Sequence, residues 1–319
     1  MLEVSVVIPN YNGEEFLTNC LNSIRKQNFR NFETIVVDNG STDGSLEILK
    51  SDFTEVRLIE LEENTGFCHA VNVGIKASKA PFVILLNNDT EVAANFVEEM
   101  LKGIKRYRTA FSCGAKMCNY YYRHVVDNVG NFYSAMGWAF ARGEGKHEAL
   151  YNKSRLVFAT CGGAAIYKKS VFEEIGYFDE RHFAYLEDID ICYRAKIHGY
   201  TNRYLPDAVV YHVGSGTTGS KHNEFKVNLS AKNNVYTVYK NMPIVQIIIN
   251  LPFILVGHVI KMAYFARKGL LKAYVRGLLE GLACCASSNC KVKYERSHLK
   301  NYIGIQFELW GNIIKRISN

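Results

Sequence analysis

From Val4 to Thr90 the chain alternates between β-branched apolar runs and amphipathic stretches, and this alternation limits the possible folds more than any other feature. Val4 to Ile8 reads as a strand buried on both faces, because apolar residues do not alternate with polar ones. Pro9-Asn10-Tyr11-Asn12-Gly13 ends it with turn residues. Glu14 to Gln27 carries Phe16, Leu17, Cys20, Leu21 and Ile24 at helical spacing. Further strands are expected at Phe32 to Val37, Val56 to Leu61 and Phe82 to Leu86, with one helix starting over Ser45 to Lys50 and another opened by Asn64-Thr65-Gly66-Phe67 and running through Ala77. Strand and helix in turn predict an α/β fold with a mostly parallel central sheet and helices on both faces.

Ligands bind such sheets beyond the carboxyl ends of their strands. Three polar clusters fall there: Asn10 to Asn12, Asp38 to Asp43 and Asn87 to Asp89. A dinucleotide site would need GxGxxG after the first strand, and a P-loop GxxxxGK[ST]; the sequence has neither. What stands at the strand ends is two carboxylates. Asp38 is suited to accept a hydrogen bond from a nucleobase imide, or is a turn-former in its Gly-Ser-Asp loop. Asp89 is suited to ligate Mg²⁺ or Mn²⁺ beside a diphosphate, or to cap a helix before Val92.

A third acidic group lies far downstream. In Tyr185-Leu186-Glu187-Asp188-Ile189-Asp190-Ile191-Cys192, three carboxylates open a helix-like run. On a helix Asp188 shares a face with Ile191 and Cys192 and points inward. A carboxylate in partly apolar surroundings is a candidate general base; the alternative is a set of surface capping acids.

Together these motifs resemble a known family. Val6-Val7-Ile8-Pro9-Asn10-Tyr11-Asn12, Val36-Val37-Asp38-Asn39-Gly40-Ser41-Thr42-Asp43-Gly44, Asn64-Thr65-Gly66-Phe67, Leu86-Asn87-Asn88-Asp89 and Leu186-Glu187-Asp188-Ile189-Asp190 are similar to the family 2 inverting glycosyltransferases with a GT-A fold, most of all the bacterial rhamnosyltransferase-type branch. The resemblance covers roughly residues 3 to 220. It implies that Pro9, Tyr11 and Asp38 line a nucleobase pocket and that Asn64, Gly66, Asn88 and Gly163 contact the donor. It implies that Asp89 closes a DxD metal motif and that Asp188 is the catalytic base. Asn87 stands where that motif has its first acid. His212, ending a strand before a Gly-rich loop, is either a third metal contact or structural. Arg194 and Lys221 are candidate phosphate partners, or solvated.

The remaining segments fill in the expectation. Residues 103 to 157, rich in Gly and aromatics, either frame an acceptor or form an irregular insertion. Phe158 to Ile166 reads as a strand interrupted by Gly162 and Gly163, and Tyr204 to His212 as a last edge strand. Nine Cys without a CxxC pair read as reduced thiols of a cytosolic protein, and Leu2 to Ile8 reads as a strand, not a signal peptide. The net charge of +7 suits phosphate-bearing partners or an anionic membrane. Residues 1–225 are therefore expected to form the catalytic GT-A domain and 226–319 a helical appendage. In that appendage Ile244 to Ile260 is apolar but interrupted by Pro252, shorter than the ~20 residues of a spanning helix. The bases after it suggest a helix lying on an anionic membrane, or else a covering or dimer-forming element.

The expected reaction is metal-dependent, inverting transfer from dTDP-rhamnose or a UDP-sugar to a saccharide or lipid-linked saccharide, in cell-surface polysaccharide synthesis. The protein would be cytoplasmic and peripheral on the inner face of the membrane, with no nucleic-acid partner. The alternative is a non-catalytic sugar- or nucleotide-binding module. A nucleotidyltransferase would want a Gly- and Arg-rich loop after the first strand, which is missing.

Overall fold

The computed structural model describes residues 2–214, 223–287 and 289–318. The elements run β1 (Val4–Asn10), α1 (Glu14–Arg25), β2 (Phe32–Asp38), α2 (Ser45–Asp52), β3 (Arg57–Glu60), α3 (Phe67–Ala77), β4 (Phe82–Leu86), β5 (Thr90–Val92), α4 (Phe96–Arg106) and β6 (Ala110–Asn119). Three short strands follow, β7 (Val126–Asn128), β8 (Asn131–Tyr133) and β9 (Ala139–Ala141), then β10 (Arg155–Val157), β11 (Ala164–Lys168), α5 (Lys169–Ile175), α6 (Glu187–Ile197) and β12 (Thr201–His212). Four helices close the chain: α7 (Glu224–Asn241), α8 (Ile244–Arg267), α9 (Leu271–Ser287) and α10 (Leu299–Ser318).

The main sheet has the order β10-β12-β6-β11-β4-β1-β2-β3, with β5 added to β12 and β7 to β6. β3, β2, β1 and β4 are parallel, and β11 runs against β4 and β6. The chain winds from β1 outward to β3 and then returns to place β4 on the other side of β1. That reversal opens a crevice at the carboxyl ends of β1 and β4.

Successive side chains of a strand point to opposite faces, and here both faces are buried. Val7, Ile35, Val37, Val83 and Leu85 pack with α3, α6 and α10. Val6, Ile8, Val36, Ile84 and Leu86 pack with α1 and α4. This double burial explains the unbroken apolar runs of the sequence.

Several expectations need correction. β6, a central strand, is absent from the sequence reading, because Ala110-Phe111-Ser112-Cys113-Gly114 has no clear period. Phe158 to Ile166 is not one strand: β10 ends at Val157, Ala159 makes an isolated bridge to Asn131, and β11 begins at Ala164 after a turn at Gly162-Gly163. β12 is not an edge: it lies between β10 and β6 and bulges between Tyr204 and Val209, where Pro206 cannot donate a ladder bond. α8 continues through Pro252 to 24 residues, and among the described residues it is the one helix long and apolar enough to cross a bilayer. The helices beyond residue 225 also share the domain's core. Val238, Met242, Tyr302, Ile305 and Leu309 belong to the cluster built on Val7 and Ile35. Asn312 Nδ2 donates to the Tyr133 carbonyl at 2.9 Å.

Candidate active site

A cleft of about 830 Å³ opens at the switch point. Its floor is a ladder of amides across three strand ends. Asn88 Nδ2 donates to Asn10 Oδ1 at 2.7 Å, and Asn10 Nδ2 donates to Asp38 Oδ2 at 2.9 Å. Asn39, which sequence reasoning passed over, ties in the next loop: its Nδ2 donates to Asn64 Oδ1 at 3.0 Å, and its Oδ1 accepts from the Thr65 backbone and hydroxyl. Of the expected donor residues, Pro9, Tyr11, Asn64, Gly66, Asn88 and Gly163 line the cleft, together with Asp89, His212 and Asp188.

Two residues do not. Asp38 is fully buried beneath the floor, its carboxylate taken up by Asn10 and by the backbone N–H and hydroxyl of Ser41. There it fixes the β1 and β2 ends. Arg194 is buried behind α6, pairing with Asp190 and donating to the carbonyls of Ile175, Gly176 and Tyr177. Its guanidinium is saturated there, so it is no phosphate partner. Lys221 and most of the Gly-rich loop lie outside the described residues.

The acidic wall is held by a strained loop. Phe183, Tyr185 and Leu186 all have positive φ, at 61°, 68° and 65°, a conformation costly for non-glycine residues. The loop is braced by α7. Asn233 is fully buried, and its Nδ2 lies 2.8 Å from each of the His182, Ala184 and Tyr185 carbonyls. Below it packs Gly66, whose φ of +88° suits glycine and whose added Cβ would fall 2.5 Å from the Phe183 ring.

The three acids of this stretch take different roles. Asp190 points into the core, where Lys240, Arg194 and Asn241 surround it and hold its pKa far below the usual range despite the opposing effect of burial. Asp188 faces the cleft. Its Oδ2 accepts from Asn131 Nδ2 at 2.7 Å, and Asn128 fixes that amide from behind at 2.8 Å. Glu187 also lines the cleft, and its Oε2 is buried without a hydrogen bond. Burial raises the pKa of both carboxyls, and repulsion from Asp188 raises that of Glu187 further.

Asp89 and His212 meet in one corner. β12 carries His212 beside β5, which begins at Thr90; no helix starts before Val92, so Asp89 is not a cap. Asp89 Oδ1 is buried, takes no hydrogen bond and stands 3.3 Å from His212 Nε2. The other ring nitrogen, Nδ1, lies 2.8 Å from Asp127 Oδ2. Without an ion, burial disfavours charge on this imidazole, but Asp127 and Asp89 prevail and raise its pKa to about 10; a cation bound at Nε2 would take the place of that proton. Adjacent ligands of an octahedral Mg²⁺ at about 2.1 Å lie about 3 Å apart, so this pair fits one cation, with Asp127 orienting the histidine from outside. Among the described residues no three His, Cys, Asp or Glu side chains group into a metal site. An ion here would take its other ligands from diphosphate and water, as Mg²⁺ commonly does.

Asn131, Asp127 and Asn233 left no sequence signal, since single Asn and Asp residues outside a motif read as turn-formers; Asn39 stood inside a motif in which Asp38 drew the attention. Lys226 and Lys261 also line the cleft.

A mostly parallel, doubly wound sheet with its cleft at the strands' carboxyl ends and helices on both faces is a GT-A fold. The chain belongs to glycosyl transferase family 2, whose model matches residues 5–176. It is 30% identical over 194 residues to glycosyltransferase GlyA of Streptococcus pneumoniae, covering 54% of this chain and 25% of that protein. It is 28% identical over 241 residues to the N-acetylglucosaminyl-diphospho-decaprenol L-rhamnosyltransferase of Mycobacterium tuberculosis, covering 67% of this chain and 77% of that one. Among solved structures, GalNAc-T7 with UDP, GalNAc and Mn²⁺ superposes with a TM-score of 0.61 at 21% identity, over 75% of this chain and 48% of that one.

Proposed function

We propose that the protein is an inverting glycosyltransferase that moves a sugar from a nucleotide-diphosphate donor to a hydroxyl of a saccharide acceptor in polysaccharide synthesis. The observation that carries this reading is Asp188. A carboxylate with a raised pKa is held by Asn131 at the cleft wall, facing a nucleotide-sized floor. There it removes the proton from the acceptor hydroxyl. The freed oxygen attacks the anomeric carbon in line, and configuration inverts.

Pro9, Tyr11, Asn64, Gly66, Asn88 and Gly163 hold the donor. Glu187 Oε2, buried and without a partner, accepts a hydroxyl of donor or acceptor. Asp89 and His212 would hold a Mg²⁺ or Mn²⁺ ion, which supplies positive charge to the leaving diphosphate. Mn²⁺ in the GalNAc-T7 structure supports that choice. The mycobacterial relative's name supports rhamnose as the transferred sugar and a lipid-diphosphate-linked acceptor; the UDP of GalNAc-T7 supports a UDP-sugar. A lipid-linked acceptor supports a protein peripheral on the inner face of the cell membrane.

Asp188→Asn tests the reading. The amide keeps the shape and the Asn131 contact but cannot take a proton, so transfer should fall ~100-fold or more while donor affinity holds. A variant keeping more than about a tenth of the wild-type rate would remove Asp188 from the role of base.

A further inference from the structure

We infer that α8 lies in the plane of an anionic bilayer, with its outer face among the acyl chains and its inner face on the catalytic domain. This rests on the peripheral-membrane reading above and names the surface that would carry it.

The helix is inverted relative to a soluble one. Its buried stripe is Gln246, Asn250, Ile254 and Gly257, and between Ile244 and Ile260 its exposed positions are, apart from Pro252, all Ile, Val, Leu and Phe. Asn250 is 0% exposed, whereas Ile248, Leu255 and Val259 are 62%, 56% and 60% exposed. The inward polar groups are satisfied: Gln246 accepts from the Tyr193 hydroxyl at 2.8 Å, and Asn250 and Gln306 of α10 exchange hydrogen bonds at 2.9 and 2.7 Å. Gly257 lets the helix approach closely, since a Cβ there would fall 2.9 Å from the Met136 carbonyl. Small and polar residues at the protein contact, with apolar residues outward, are how helices pack in lipid. Exposed Leu279 and Leu282 of α9 and Ile303 and Phe307 of α10 add apolar surface on the neighbouring helices.

Charge selects the occupant. Residues 244–319 hold eleven Lys and Arg against three acids, while the 243 residues before them hold 27 against 28. The whole positive excess of the chain therefore sits in these helices. A second copy would bring like charge against like charge; an anionic lipid surface neutralises it.

Attachment sets the orientation. Contacts from Gln246 to Lys261 strap α8 to the domain over about 22 Å of helix. A crossing helix would have to shed these contacts or drag the domain into the bilayer. Lying flat, α8 also carries Lys261 into the lining of the cleft, so the acceptor side of the site opens beside the lipid.

The test is co-sedimentation of the full chain with phosphatidylcholine vesicles, with and without phosphatidylglycerol. The wild type should pellet with the anionic vesicles and be released by high salt. The triple change Ile248→Gln, Leu255→Gln, Val259→Gln should cut binding at least about tenfold while leaving the unfolding midpoint and the thermal shift from UDP with Mn²⁺ unchanged. Arg267→Gln, Lys268→Gln, Lys272→Gln should remove the preference for anionic lipid. On proteoliposomes a membrane-impermeant maleimide should label Ile244→Cys and Arg267→Cys alike, above the wild-type background. Protection of one end would mean that α8 crosses, and would overturn the in-plane geometry. A wild type left in the supernatant, or a dimer that the apolar triple change dissolves, would overturn lipid as the occupant. Absence of any UDP–Mn²⁺ shift in the wild type counts against the catalytic reading alone.

Discussion

Replacing Asn233 should disable the enzyme from a helix that carries no reacting group. The two N–H bonds of its amide serve three carbonyls at 2.8 Å, in a loop with three left-handed non-glycine residues. Strain of about 1–3 kcal/mol per such residue persists only while the surroundings enforce it. Asn233→Ala removes two hydrogen bonds worth about 1 kcal/mol each and leaves buried acceptors unpaired, so global stability should drop by about 2–4 kcal/mol. The larger effect should be local. Once released, Phe183, Tyr185 and Leu186 relax toward ordinary backbone angles, and Asp188 two residues on leaves its place on Asn131. We expect kcat to fall ~100-fold, the worth of a general base, with donor KM little changed. Urea denaturation gives the first quantity, and steady-state kinetics at saturating acceptor the second. Asn233→Asp, with the same shape but acceptor oxygens only, should be at least as damaging. A correctly folded Asn233→Ala variant with kcat within about threefold of wild type, or rescue by Asp, would refute the bracing role.

Further outcomes follow from the same geometry. Asp89→Ala should weaken donor binding, and EDTA should add nothing to that loss, since both remove one ion; a wild-type rate indifferent to EDTA would return Asp89 to a structural role. Glu187→Gln should raise the unfolding midpoint at neutral pH. A carboxyl with a raised folded pKa takes up a proton on folding, so its cost is absent below the unfolded value of about 4.3 and grows as pH rises through the folded pKa; an advantage that persists at pH about 4 would contradict this. The acid limb of kcat/KM should lie above the ordinary Asp value of about 3.9, because burial raises the Asp188 pKa. Gly66→Ala should cost about 2 kcal/mol or more, read as a lower unfolding midpoint, because its Cβ meets the Phe183 ring.

The parts of the molecule legible in the sequence are those set by short-range pattern. β1, β2 and β4 announce themselves because both their faces are buried, and Asp188 stands out because its helix opens with acids. The cleft's supports are another matter. Asn131 reaches Asp188 across 57 positions, and Asn233 reaches the loop from about 50 positions away. Only the folded sheet brings them there. Arg194 shows the opposite error: residue type suggested a phosphate contact, whereas burial turned it into an internal fastener. Pro252 looked like a break in an apolar run, yet the helix accommodates it and gains the length that the sequence reading denied.

The ion cluster behind the acids bears on how such chains can be divided and recombined. Lys240 of α7 neutralises both Asp179 and Asp190, and α10 closes over Tyr133. A seam at 225 would part Asp179 and Asp190 from their lysine, and stranding a buried charge is strongly destabilising. A cut after 243 keeps the lysine but removes Leu309 and Asn312 from the core. Chimeras that join one relative's nucleotide-binding half to another's tail should therefore succeed only when α6, α7 and α10 come from the same parent. The outer faces of α8 and α9 are exposed, so sequence there can drift without disturbing the acids within.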